Sequence, residues 1–206
     1  GNNEKALEVF QKISELNPNS LTLTLPEYYY NQGNYKKYEE ELEKAFLSKD
    51  IDPIIKLKKM VSLLKSLNSN TDHSFRFVYK LSDILISLYP DLESSNMIHA
   101  DLSQMNNQKE LALFHYKKVV RKNPNKQRSW EQLLFLELEL NQLDSLQYDS
   151  EKSLEFFPTN PFFYYLNGLA NYYKKDYKQS IESISIGVNF VVGNKNLSSE
   201  MYAILG

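Results

Sequence analysis

The sequence predicts an all-helical repeat fold, on three observations. First, Pro90, Pro124 and Pro158 stand 34 residues apart, each closing an amphipathic stretch: "FRFVYKLSDILISLYP", "LALFHYKKVVRKNP" and "DSLQYDSEKSLEFFP". A proline just past an apolar-periodic run is a helix stop, and "KALEVFQKISELNP" makes the same stop at Pro18. Second, twelve residues before each stop stand Ala6, Val78, Ala112 and Leu146, followed four residues later by Phe10, Ser82, Tyr116 and Ser150. Residues four apart share one helical face. Asp50 and Val192 take the proline's place in two further copies, behind Tyr38/Leu42 and Ser180/Ile184. Third, "GNNEKA" (1–6), "GNYKKY" (33–38), "NQKELA" (107–112), "NQLDSL" (141–146) and "KDYKQS" (175–180) occupy equivalent places just before these helices. Glycine and asparagine tolerate the left-handed backbone that ends a helix.

Bulk properties agree. The chain has 206 residues, 42% hydrophobic and 24% charged, the profile of a folded domain and not of a disordered one. Six glycines and seven prolines are too few for an all-β fold, which needs a turn every 8–12 residues, while 15 Tyr and 11 Phe suit aromatic packing between helices. A formal charge of −2 lacks the basic excess of a nucleic-acid binder. The chain has no cysteine, which excludes disulfides, thiolate zinc sites and a cysteine nucleophile. No run of about 18 apolar residues is present to span a membrane. The sequence starts at Gly1 with a helical pattern, which reads as a fragment or processed form.

With "WEQLLFLE" (130–137) and "YYLNGLANYYKKDYKQSI" (164–181) added, the pattern resembles the tetratricopeptide repeat, a 34-residue helix–turn–helix unit with W-x2-L-G-x2-Y, A-x3-F and P signatures. Trp130 and Leu133 match in one copy, where Leu134 replaces Gly and Glu137 replaces Tyr. Gly168, Tyr177 and Ile181 match in another, where Asn167 and Asn171 depart from the pattern. Ala100 in "NMIHADLS" holds a small position. The resemblance covers nearly the whole chain and implies a right-handed α-solenoid of stacked antiparallel helix pairs, one array over 1–206. No single pair buries its own apolar face, so neighbours must stack.

The elements then follow in order. Residues 2–16 are the second helix of a truncated repeat. Pairs follow over about 20–48, 53–89, 93–122, 127–157 and 161–191, with the start of a further repeat at 198–206. The first pair holds an ambiguity: Leu21-Thr22-Leu23-Thr24-Leu25 alternates like a strand, and Pro26 removes a backbone donor. In the repeat register it is a first helix over 20–32, either kinked at Pro26 or beginning near Leu25, with its partner over 35–48. Asp52-Pro53 is a good helix start before "IIKLKKMVSLLKSL". "NSNTDHS" (68–74) reads as a polar loop.

No catalytic, metal or cofactor site is expected. His73, His99 and His115 lack a partnering histidine one turn away. No GxSxG, P-loop or GxGxxG occurs. Glu137 and Glu139, two apart, point to different helix faces. Lys56, Lys58, Lys59 and Lys65 flank an Ile54/Leu57/Val61/Leu64 stripe, which reads as the buried stripe of a solenoid helix, with a membrane-surface helix as the sharper reading. "EEELEK" (39–44) reads as a solvated face and Trp130 as a packing residue.

Function is therefore sought on the concave side that the resemblance implies, lined by the first helix of each pair. Carried over by register, the groove positions are Leu23, Glu27, Tyr30 and Asn31; Met97, Asp101, Gln104 and Met105; Arg128, Glu131, Phe135 and Glu139; and Phe162, Tyr165, Leu169, Tyr172 and Tyr173. The last set is aromatic, and tyrosine offers rigid contact area with a polar tip. Some members of the family grip a peptide's terminal carboxylate with paired Lys and Asn. Those places here hold Leu23/Glu27, Met97/Asp101, Glu131/Phe135 and Tyr165/Leu169, so that clamp is not expected. The expectation is a non-enzymatic scaffold for a protein or peptide, the alternative a spacer or assembly arm that self-associates through its ends. The Asn/Lys/Ile/Tyr-rich wording resembles that of bacterial repeat proteins, with an exported or periplasmic compartment ahead of a cytoplasmic one.

Overall fold

The computed structural model describes residues 23–67 and 72–206. The described residues contain no strand, and eleven helices follow one another: α1 (Thr24–Asn31), α2 (Tyr35–Leu47), α3 (Pro53–Ser66), α4 (Asp72–Leu88), α5 (Glu93–Met105), α6 (Lys109–Lys122), α7 (Gln127–Glu139), α8 (Leu143–Phe156), α9 (Pro161–Tyr173), α10 (Tyr177–Val188) and α11 (Lys195–Leu205). The helix expected over 2–16 lies outside the described residues. Two compact units divide the chain at His99/Ala100, inside α5.

The Leu/Thr alternation is helical where it is described. Leu23 is the N-cap and Thr24 opens α1, which puts Pro26 in the first turn. Amides there have no intrahelical acceptor, so proline costs no hydrogen bond. The first helical bond is Glu27 N–H to Leu23 C=O at 3.1 Å. The helix is shortened, not bent. Asp72, His73 and Ser74, assigned above to a loop, form the start of α4.

Every described pair at the second-helix register is buried: Tyr38/Leu42, Val78/Ser82, Ala112/Tyr116, Leu146/Ser150 and Ser180/Ile184. The turns within pairs are alike. Gly33, Asn107, Asn141 and Lys175 all have positive φ, between 54° and 70°. In each turn this residue's amide bonds back three residues and the next amide bonds back five, as in Asn107 to Gln104 (3.0 Å) and Gln108 to Ser103 (2.8 Å). This double closure satisfies the last carbonyls of the first helix.

The turns between pairs share a device that the sequence does not advertise. Six residues past four of the stop positions, a side-chain donor reaches back to the preceding turn. Asn96 Nδ2 donates to Pro90 C=O at 2.8 Å. Trp130 Nε1 donates to Pro124 C=O at 2.8 Å. Tyr164 Oη donates to Pro158 C=O at 3.1 Å. Past Asp50, Lys56 Nζ donates to the C=O of Phe46 (2.8 Å) and Ser48 (2.5 Å) at the end of α2. Lys56 is almost fully buried, and burial pulls its pKa down.

In the second unit the core joins α5–α9 through Ala100, Tyr116, Leu133, Leu134, Leu146, Phe163 and Leu166. Ile184, Leu197 and Met201 continue it to α10 and α11. Glycine sets the spacing there. A Cβ on Gly187 would run into Tyr164 Cβ and Met201 Cε, and one on Gly168 would run into Ile184 Cδ1 and Cγ1.

Two predictions follow from these contacts. Trp130→Phe removes a part-buried bond and the packing of part of a buried indole and lowers urea-unfolding stability by about 1–3 kcal/mol, while Tyr164→Phe, at an exposed bond, costs under about 1 kcal/mol. Gly187→Ala destabilises by about 1–3 kcal/mol because Tyr164 Cβ is fixed to backbone. Gly168→Ala also destabilises, because Ile184 is fully buried with a stiff β-branched χ1, and the helix-propensity gain of roughly 0.5–1 kcal/mol offsets only part of the crowding.

Candidate functional site

In the first unit, the groove positions are partly engaged with the fold. Leu23 is half-buried at the start of α1. Glu27 forms an ion pair with Lys59 of α3, which is mostly buried and lies 5.5 Å from the Tyr38 ring centroid. Tyr30 is exposed but sits edge-on to Tyr35 and Tyr38, at 5.6 and 5.2 Å. Asn31 is exposed at the end of α1, and Met97 is half-buried on α5.

Helix α3 corrects the reading of its stripe. Its buried residues are Lys56 and Met60, while Ile54 and Val61 are 57% and 45% exposed. Lys56 turns inward to cap α2, and Lys59 turns toward Glu27. The helix is thereby rotated away from the Ile54/Leu57/Val61/Leu64 face, and two of its four flanking cations are consumed internally.

In the second unit the positions fall into two groups. Asp101 is a hub: the Tyr116 hydroxyl donates to it and Arg128 Nη2 lies 3.3 Å from Oδ2, linking α5, α6 and α7. Burial and this carboxylate raise the Tyr116 pKa. Gln104 Oε1 is 3.3 Å from the same hydroxyl. Phe162, Tyr165 and Leu169 are half-buried against the core, as repeat-to-repeat packing requires. Burial and the Glu200 carboxylate push Tyr165 up to about 12. Glu200, on α11, was not legible as a partner of this ring.

The other group faces solvent. Met105 is 62% exposed, Phe135 42%, Tyr172 45% and Tyr173 54%. Tyr172 makes edge-on contacts with Tyr173 (5.8 Å) and with Tyr177 of α10 (5.7 Å), extending the aromatic patch beyond the first helix. Glu131 accepts from Gln127 at 2.8 Å, and Glu139 pairs with Lys109 at 3.3 Å.

One constellation mimics a catalytic triad. Ser82 Oγ is 3.0 Å from His99 Nδ1, and His99 Nε2 is 3.8 Å from Asp83. Ser82 is buried and donates its proton to Tyr79 C=O at 2.6 Å, and burial pulls the His99 pKa down. A nucleophile needs an accessible oxygen with its proton held by the base, and this one has neither. No group of three or more His, Cys, Asp or Glu able to hold a metal occurs among the described residues. No helix among them is long and apolar enough to cross a membrane.

Three departures from the repeat pattern, Asn167, Asn171 and Glu137, build polar interiors instead. Asn167 donates to Ser150 (2.9 Å) and accepts from Ser183 (2.6 Å), and Asn171 accepts from Gln147 (2.8 Å), tying α8, α9 and α10. Glu137 is fully buried, with Lys117 Nζ at 2.8 Å but no aligned hydrogen-bond donor on either carboxyl oxygen. Lys117 also lies 3.6 Å from Asp149. Burial, and then the Asp149 carboxylate, push the Glu137 pKa up to about 8.

Compared with known proteins, the chain matches no protein-family model and no curated protein. Among solved structures it is similar to MamA, a tetratricopeptide-like helical-repeat protein. One MamA AMB-1 structure aligns over 82% of this chain and 88% of that one, with TM-score 0.61 and 12% identity. An RS-1 MamA double mutant aligns over 82% and 92%, with TM-score 0.58 and 17% identity. MamA from Desulfovibrio magneticus RS-1, from residue 41 to its end, aligns over 82% and 93%, with TM-score 0.56 and 16% identity. The fold is an all-α helical-repeat solenoid.

The buried carboxyl sets a pH dependence. A folded-state pKa near 8 lies above the usual 4.5, so the folded state holds the proton that the unfolded chain releases. Stability contributed by Glu137 is full below about 4.5 and is lost as pH rises through about 8. Glu137→Gln flattens that decline, so the variant gains on the parent between pH 5 and pH 8.5 in urea titrations.

Proposed function

We propose that the chain is a non-enzymatic interaction scaffold that binds a protein segment on the first-helix face of its second unit. One observation carries this reading. The first helices leave large apolar and aromatic side chains in solvent, namely Met105, Phe135, Tyr172 and Tyr173, of which Met105 and Tyr173 hold the same repeat position. Tyrosine and phenylalanine exposed together on rigid helices are the side chains interfaces use as anchors. Around them Arg128, Glu131 and Glu139 supply a mixed-charge rim, suited to orienting a partner more than to attracting one by net charge. Tyr165 belongs to the supporting layer, because its ring is half-buried and faces Glu200.

The alternative role, a spacer that self-associates, finds support in Val192 (91% exposed) and in the exposed Tyr202 on α11. Concentration-dependent light scattering of the parent and of Val192→Asp/Tyr202→Asp separates the two, since the scaffold face involves neither residue.

The scaffold reading is tested by selecting peptides from a displayed random library against the folded chain. Peptides of one shared motif are expected, binding at least about tenfold weaker to Phe135→Ala/Tyr172→Ala/Tyr173→Ala while the melting midpoint stays within a few degrees. Selected peptides that bind this variant as well as the parent would sink the reading.

A further inference from the structure

The second helices carry a different site. A cleft of about 280 Å³ opens between α6 and α8. Trp130, Phe156 and Val120 give it apolar walls, with the Trp130 and Phe156 rings stacked at 6.4 Å and 21°. Tyr148 stands exposed at its edge. Three cations line it, Lys117 and Arg121 from α6 and Lys152 from α8, against one carboxylate, Asp149.

Those cations are not equally committed. Lys117 is held by Glu137 and Asp149. Lys152 pairs with Glu155 on its own helix at 2.8 Å, an exposed contact that a ligand can exchange at little cost. Arg121 is exposed and has no acidic partner among the described residues. A free guanidinium on one wall and an exchangeable ammonium on the other favour carboxylates, which Arg binds in a two-pronged manner. The volume lies below the range of about 300–1,000 Å³ typical of whole small-molecule sites. It suits one large side chain of a docking segment.

We propose that the α6/α8 cleft is a docking site for an acidic linear segment of a protein partner, one aromatic side chain entering against Trp130 and Phe156 while flanking carboxylates pair with Arg121 and Lys152. The site shares no anchor residue with the first-helix face, so one chain carries two independent partner surfaces.

Trp130 is the chain's single tryptophan, so intrinsic fluorescence reads the cleft directly. The probes are three capped peptides: Glu-Asp-Phe-Glu-Asp, its charge reversal Lys-Arg-Phe-Lys-Arg, and the anchorless Glu-Asp-Gly-Glu-Asp. The acidic aromatic peptide is expected to give a saturable emission change. Its affinity should fall at least about tenfold when salt rises from roughly 0.05 to 0.5 M, because exposed charge pairs are screened. It should fall by a similar factor in Arg121→Glu/Lys152→Glu and less in Arg121→Ala, a milder variant that keeps the test valid if the reversal perturbs the fold. Melting curves confirm that each variant is folded. No saturable response up to millimolar peptide would overturn the proposal. So would equal binding of the charge-reversed or anchorless peptide, or undiminished affinity in folded Arg121→Ala.

Discussion

Three successive turns between helix pairs are organised by a hydrogen bond repeated every 34 residues, from a side chain near the start of one first helix to the carbonyl of the stop residue behind it. An amide at Asn96, an indole at Trp130 and a phenol at Tyr164 each reach the carbonyl of Pro90, Pro124 or Pro158. The constraint is geometric. A proline stop leaves its own carbonyl in a tight four-residue connection, outside the reach of either helix's own amides. Pinning it also fixes where the next helix begins. In the turn before these, Lys56 takes this role at the same offset, with a longer arm that reaches two carbonyls at the end of α2.

That bond explains what could and could not be read from the sequence. The prolines, the second-helix register and the positive-φ turns were legible because each depends on a narrow residue choice. Proline stops helices, and Gly33, Asn107 and Asn141 are residues that tolerate a left-handed backbone. The donors were not, because an amide, an indole, a phenol and an ammonium do the same work. Lys56 is the sharpest case. As one of four lysines beside an apolar stripe it reads as a solvated charge, yet inside the turn it rotates α3 and leaves Ile54 and Val61 outside. Position along the helix was right and the buried face was wrong.

The groove residues show the same division. Their register placed Asp101, Phe135 and Tyr173 on first helices, but register does not say which rings the next repeat covers. Phe162, Tyr165 and Leu169 are covered, because α9 packs closely on its neighbours around Gly168 and Gly187. Tyr172 and Tyr173 escape because they lie at the end of the helix, beyond the reach of that packing. Asp101 is neither covered nor free, since Tyr116 and Arg128 bind it from two neighbouring helices.

Two equivalent departures from the repeat pattern were solved differently, and the difference bears on where the unit offers itself to partners. Asn171 is neutral, accepts from Gln147 of α8 and donates to Asn167, which in turn accepts from Ser183 of α10, so the seam is closed by hydrogen bonds. Glu137, 34 residues earlier, is an acid buried without an aligned donor, with Lys117 shared between it and Asp149. A half-satisfied charge cluster stabilises its surroundings less than a closed neutral network does. Lys117 and Asp149 are also walls of the α6/α8 cleft. The cleft therefore sits over the less completely satisfied of the two polar seams, where rearranging a side chain toward an incoming carboxylate disturbs the fewest good hydrogen bonds.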